Sequence, residues 1–441
     1  MRSSQDNLRD YVLKGAIGTF LLKAAATLLV FFTSVLLARV LGASGFGAYT
    51  NARAWLRLIS VLAALGFPGL LVRQTAIYSA DNSWGLFRGM IRFSRIVVLA
   101  NSIALAACGA FLGWLVFGRN GELVTLHTLW IALLALPVVA HMILQDATIS
   151  GFRRVVLGQL AGTVCRPALF LVLVAAVYLF VDINLTAPNV MFLQVATVLI
   201  TLSMGTYWLH NIVPREVRTC VPQYEYRSWF LTALPMLFVS SMYVLTNRTG
   251  IVILAAIKGA EAAGIYKAAV RGSELMVFPM FAINKAFEPL VARLYAKGEK
   301  LRLQRVVTKW TWAGFIVAVP LAVGLLGWGD RFLSIFGADF VQGRWALSIL
   351  VIGRVLNMGL GMVALLLNMT GHERQSALGL GFGALLNVLL CGLLIPYFGI
   401  DGAAAADSIS TAFWNILLGY MVFQRMGINP TIVSKLRWRK S

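Results

Sequence analysis

The chain has 441 residues, 59% of them hydrophobic and only 12% charged, with a mean hydropathy of +0.80; soluble domains carry roughly a quarter charged residues, so composition excludes an ordinary water-soluble fold. A net charge of +21 would point to nucleic acid in a soluble protein, but most of the 38 basic residues fall in short polar breaks between long apolar runs. Four cysteines without a C-x-x-C spacing, four isolated histidines and the absence of H-E-x-x-H or G-K-[ST] argue against a disulfide framework, zinc hydrolysis and self-contained ATP hydrolysis, so neither metal nor cofactor is expected.

Residues 1–14 are polar, and the apolar run behind them is too long for the core of a cleavable signal peptide. Apolar runs then recur near 15–41, 46–70, 90–118, 127–150, 156–181, 190–213, 230–257, 260–283, 307–328, 344–370, 374–396 and 401–424. Each is long enough to cross a hydrocarbon core of roughly 30 Å as a helix. The chain therefore reads as an all-α integral membrane protein of about 12 transmembrane helices. Basic residues collect in alternate breaks, around 88–95, 153–154, 215–227 and 297–309 and in the tail, which by the positive-inside rule puts both termini in the cytoplasm. The charged stretch 214–229 makes the natural linker between an N-terminal six-helix bundle (1–213) and a C-terminal one (230–425), with a basic cytoplasmic tail at 426–441.

An internal repeat supports that division. Gly42-Ala43-Ser44-Gly45-Phe46-Gly47-Ala48-Tyr49 is echoed by Gly259-Ala260-Glu261-Ala262-Ala263-Gly264-Ile265-Tyr266 at an offset of 217, and the same offset matches Val35 with Val252 and Leu37 with Leu254. An offset spanning six helices keeps both halves in the same orientation, so their pseudo-two-fold axis lies along the membrane normal.

The stretch Leu36-Leu37-Ala38-Arg39-Val40-Leu41-Gly42, followed by Phe46-Gly47-Ala48-Tyr49, resembles the opening of Wzx-type polysaccharide flippases, in the multidrug/oligosaccharidyl-lipid/polysaccharide exporter superfamily. Leu394-Ile395-Pro396-Tyr397-Phe398-Gly399-Ile400-Asp401-Gly402-Ala403-Ala404 resembles that family's penultimate turn. The resemblance implies two six-helix bundles in a V. It also implies alternating access that moves a polyprenyl-pyrophosphate-linked oligosaccharide across the bacterial cytoplasmic membrane to the external leaflet, for cell-surface polysaccharide such as O-antigen or exopolysaccharide. Its partners would be that lipid-linked saccharide, membrane lipids, and the polysaccharide polymerase and glycosyltransferases of the same pathway; no nucleic acid and no catalysis are expected.

Several cations fall inside predicted spans, where a charge at mid-bilayer costs about 2.5–3.5 kcal/mol and therefore faces water or a partner. Arg53 and Arg57 are four apart, as are Lys267 and Arg271, so each pair lines one helix face. Subtracting 217 puts Lys267 and Arg271 at the positions of Thr50 and Ala54, about one turn from the first pair. Guanidinium forks match phosphate oxygens bidentately. Lys23, Arg53, Arg57, Arg248, Lys267 and Arg271 are accordingly the candidate pyrophosphate contacts, with Arg166, Lys285 and Arg354 behind them. The competing reading is snorkelling to the interface or internal pairing, as of Arg271 with Glu274. Among in-span acids, Glu274 and Asp407 are candidates for coupling to an ion, with Asp146 and Glu288 near span ends. Asn51, Asn101, Gln159, Gln194, Tyr243 and Asn357 could hold sugars or join helices. Pro235 and Pro279 are the expected bends.

Three other functions compete. A multidrug exporter of the same superfamily would carry cavity carboxylates rather than this excess of cations. A membrane-embedded polymerase or glycosyltransferase would show a large external loop or paired catalytic acids. A lipid II flippase typically has two further helices.

Overall fold

The computed structural model describes residues 2–118, 122–152, 154–181 and 184–432, which are almost wholly helical, with no strand among them. Seven apolar helical runs are of membrane length: Leu21–Ala63, Trp84–Gly118, Val156–Phe180, Ala187–Ile212, Tyr226–Val277, Lys300–Gly327 and Glu373–Met426. Two bent pairs, Leu123–Leu134 with Leu136–Gly151 and Ala338–Leu360 with Val363–Met369, are long enough to cross as well.

Three of the runs are too long to be single crossings, since 43 residues of helix extend about 64 Å, twice the hydrocarbon thickness. Each contains one non-helical residue, a glycine at positive φ: Gly42 (φ 66°, ψ −179°), Gly259 (φ 85°, ψ 174°) and Gly399 (φ 54°, ψ −123°). Broken there, the runs supply six passes, and with the four others and the two bent pairs the described residues make the twelve that hydropathy predicts. The first two glycines head the two copies of the sequence repeat and share one backbone conformation. That region of φ/ψ space is open essentially to glycine alone. Gly42→Ala and Gly259→Ala are each expected to cost about 1–3 kcal/mol, read as a lowered unfolding temperature in detergent; unchanged melting would contradict the strain.

The second pass stops at Ala63, short of the predicted 70. Leu65 and Gly66 turn the chain at positive φ, and Phe67–Ala80 starts a separate helix with Pro68 in its first turn, where a missing amide proton costs nothing. Hydropathy cannot see this break because both sides of it are apolar.

By internal packing the chain divides into two units. The first holds the residues up to Leu41 together with Ala48–Val244; the second holds Gly42–Gly47 and the residues from Leu245 on. Phe67, Leu70, Phe87, Met90, Ala132, Leu136, Ile149 and Val190 form the sealed core of the first. Stretch 214–229 lies in this unit and is pinned to the third pass and to the helix Phe67–Ala80. The Gln223 amide donates to the Gly85 carbonyl (2.9 Å), Arg88 Nη1 donates to the Cys220 carbonyl (2.6 Å), and Trp229 Nε1 donates to Tyr78 Oη (3.0 Å). Phe287, Val291, Leu303, Val307, Leu366, Leu418 and Val422 seal the second unit.

Within the second unit the repeat packs on itself. A Cβ on Gly47 would run into the Ala260 carbonyl, and one on Gly264 into the Ala43 carbonyl. The Ala-x-x-x-Gly of each copy thus presses backbone against backbone, the small-residue contact that membrane helices use. Outward, Phe180, Tyr397, Leu179, Phe192 and Leu393 are largely exposed, as expected of a surface solvated by lipid. The chain is a multi-pass membrane protein.

Candidate functional site

Three guanidiniums gather inside the first unit. Tyr49, in the second pass, is buried with its ring stacked on Phe170 (6.1 Å between centroids), and its hydroxyl donates to Gln194 Oε1 at 3.0 Å. One turn on, half-buried Arg53 donates from Nη1 to the same hydroxyl at 3.4 Å. A further turn on, Arg57 is exposed. Arg166 approaches from the fifth pass, with Nη1 3.9 Å from Met142 Sδ and with Arg53, Arg57, Asp146 and Tyr49 all within electrostatic reach. It follows directly on a π-helical turn, Ala161–Cys165, which rotates the helix face beyond the turn, and it precedes Pro167. Among the described residues, none of these three arginines has a carboxylate within ion-pair distance. The nearby acid, Asp146, lies beside Gly162, where a Cβ would come within 3.0 Å of its Oδ2.

Charge in the second unit is compensated instead. Lys267, Arg271 and Glu274 form one stripe of the eighth pass; Lys267 Nζ is 3.3 Å from Glu274 Oε1, and Arg271 Nη1 bonds Oε2. Arg248, from the seventh pass, lies within electrostatic reach of Lys267 and Glu274. Arg354 Nη2 pairs with Asp407 Oδ2 at 3.1 Å, bridging the tenth and twelfth passes. Both acids expected to couple an ion are therefore held by cations. Breaking such a buried pair from one side strands a charge, so Asp407→Asn is expected to lower stability by about 3 kcal/mol. Adding Arg354→Leu should restore most of the loss in thermal unfolding; a single variant that melts like the parent would contradict the pairing.

The remaining candidates scatter. Lys23 is exposed on the first pass. The side chains of Lys285 and Pro279 lie outside the described residues. Asn101 joins helices, its Nδ2 donating to the Leu62 and Ala63 carbonyls at 3.1 and 3.2 Å. Gln194 carries Tyr49, while Asn51 and Asn357 each bury an Oδ1 that accepts no hydrogen bond. Pro235 lies in a stretch that stays helical, and the sharp breaks fall at glycines. Sequence reasoning set Arg166 behind Arg53 and Arg57, and its place before Pro167 in a span gave no sign that it would lie near them. It also overlooked that an offset of 217 puts Glu274 at the position of Arg57.

A family model described as "Polysaccharide biosynthesis protein" matches residues 12–294, and one described as MatE matches residues 235–393. The chain is similar to the "Uncharacterized membrane protein MJ1068" of Methanocaldococcus jannaschii, with 23% identity over 96% of this chain and 85% of that one. It is also similar to the "Probable low-salt glycan biosynthesis flippase Agl15" of Haloferax volcanii, with 23% identity over 92% of this chain and 82% of that one. Its fold matches the inward-facing conformation of a multidrug resistance MATE family transporter of the MOP superfamily, with a TM-score of 0.74 at 15% identity, covering 91% of this chain and 94% of that one.

Proposed function

The chain belongs to the polysaccharide biosynthesis protein family, and from that premise we propose that it is a flippase carrying a polyprenyl-pyrophosphate-linked oligosaccharide to the external leaflet by alternating access. The observation that carries this reading is the trio Arg53, Arg57 and Arg166, three guanidiniums inside a membrane-embedded unit with no carboxylate within ion-pair distance among the described residues. Cations held in a low-dielectric setting repel one another and are costly until an anion joins them. A pyrophosphate supplies the oxygens that guanidinium forks engage in pairs. The similarity to the probable glycan biosynthesis flippase of Haloferax volcanii supports a glycan substrate. Membership of the exporter superfamily also admits a multidrug exporter, but three guanidiniums with Asp146 in their field still leave a net cationic site, which repels the cations such a transporter expels.

Asn51, with its buried and unpartnered acceptor beside the trio in sequence, is our candidate for a sugar hydroxyl. The distribution of basic breaks supports a topology with both termini in the cytoplasm and the saccharide loaded from that side. The test is reconstitution: in proteoliposomes, a polyprenyl-pyrophosphate-linked saccharide should become accessible to a membrane-impermeant lectin only where the protein is present. Movement of an organic cation without movement of the lipid would contradict the proposal.

A further inference from the structure

We infer that Glu274 is a built-in counter-anion, occupying a second oxyanion site formed by Lys267 and Arg271, and that two phosphate oxygens displace it during transport. The inference rests on the flippase reading and deepens it.

Four observations carry it. The three residues are spaced i, i+4 and i+7, so they share one face of the eighth pass. The carboxylate gives one oxygen to each cation, Oε1 to Lys267 and Oε2 to Arg271, the arrangement that two oxygens of a phosphate would take. Exposure is graded: the Lys267 side chain is 4% exposed, Arg271 16% and Glu274 37%, so the anion lies outermost and screens the cations behind it. Finally, Glu274 occupies the repeat position of Arg57, so the two copies carry opposite charge at one site.

The charge balance favours exchange. Within this trio one carboxylate faces two cations, and Arg248 lies in the field of Lys267. A pyrophosphate, with two or more negative charges, neutralises the group more completely than Glu274 does. Being the most exposed member, Glu274 can swing outward without breaking the core, whereas Lys267 cannot. Until an anion arrives, the carboxylate keeps the lysine compensated.

The test uses the full-length protein in detergent with inorganic pyrophosphate as probe, in an R57A/R166A background that disables the first unit's cluster. Adding E274Q should tighten pyrophosphate binding by about tenfold, a difference in binding of ~1.4 kcal/mol, and pyrophosphate should raise the unfolding temperature that E274Q lowers. Adding K267M as well should abolish both effects. A folded E274Q variant that binds no tighter, or whose lost stability pyrophosphate does not return, would reduce Glu274 to a structural ion pair and overturn the inference. Should E274Q fail to fold, E274D keeps the charge but cannot span both cations; it should bind pyrophosphate more tightly than the background, and unchanged affinity would overturn the inference equally. The flippase reading fails separately, in proteoliposomes where the unmodified protein moves no pyrophosphate-linked lipid.

Discussion

Replacing Arg57 or Arg166 with alanine should reduce lipid translocation by about ten- to a hundredfold each, because a hydrogen bond to a charged group contributes about 1.5–3 kcal/mol. Insertion and folding should be unaffected. Among the described residues Arg57 is exposed with no carboxylate within ion-pair distance, and Arg166 reaches a thioether sulfur with Asp146 in its field but beyond pairing distance, so neither substitution breaks an ion pair. Removing one like charge also relieves repulsion, since Arg53 and Arg57 both lie in the field of Arg166. A variant that melts at the parental temperature or above, yet no longer transports, is the expected signature. Variants that melt lower and transport normally would show that the cluster holds the fold instead. Arg53→Ala should be less clean, because Arg53 also donates to the Tyr49 hydroxyl that anchors Gln194.

The second large effect is on folding. Gly47→Val and Gly264→Val should each cost about 3 kcal/mol or more, at the upper end of overpacking. The added Cβ at either position meets a backbone carbonyl, of Ala260 or of Ala43, which no side-chain rotation can relieve. The pair are neighbours, a Cβ on either coming within 3.0 Å of the other's backbone, so their costs should not add. Loss of monodisperse protein in size-exclusion chromatography, with rapid proteolysis of what remains, is expected for each single variant. A valine at Gly324, where a Cβ would meet nothing, is the control that should behave as the parent. Normal yield and melting of the Gly47 variant would contradict the close approach.

These contacts explain why the repeat was visible at all. Gly42 and Gly259 recur because only glycine reaches their backbone angles, and Ala43, Gly47, Ala260 and Gly264 recur because two copies of one motif press together. The steric demand falls on single residues, so it leaves a mark at fixed spacing. The twelve crossings were equally legible, since apolar length is set by the membrane. Charge pairing was not. The bond from Arg271 to Glu274 spans one helical turn and was in view as an alternative, but Arg354 and Asp407 are 53 residues apart and meet only when their passes pack. Arg166 joins Arg53 and Arg57 only after a π-helical turn has rotated its helix face, and nothing in hydropathy reports that rotation. Sequence could rank the in-span cations only by helix and spacing, with Arg53 and Arg57 ahead of Arg166 and Arg354. Among the described residues the structure separates Lys267, Arg271 and Arg354, each with a carboxylate within ion-pair distance, from Arg53, Arg57 and Arg166.

The most direct measurement of the central claim is native mass spectrometry of the purified protein with a polyprenyl pyrophosphate and with the corresponding polyprenol. The parent protein should retain the pyrophosphate lipid and release the alcohol, and an R53Q/R57Q/R166Q variant that folds normally should retain neither. Equal retention of the pyrophosphate lipid by parent and variant would contradict the assignment of the first unit's arginine cluster as the phosphate site.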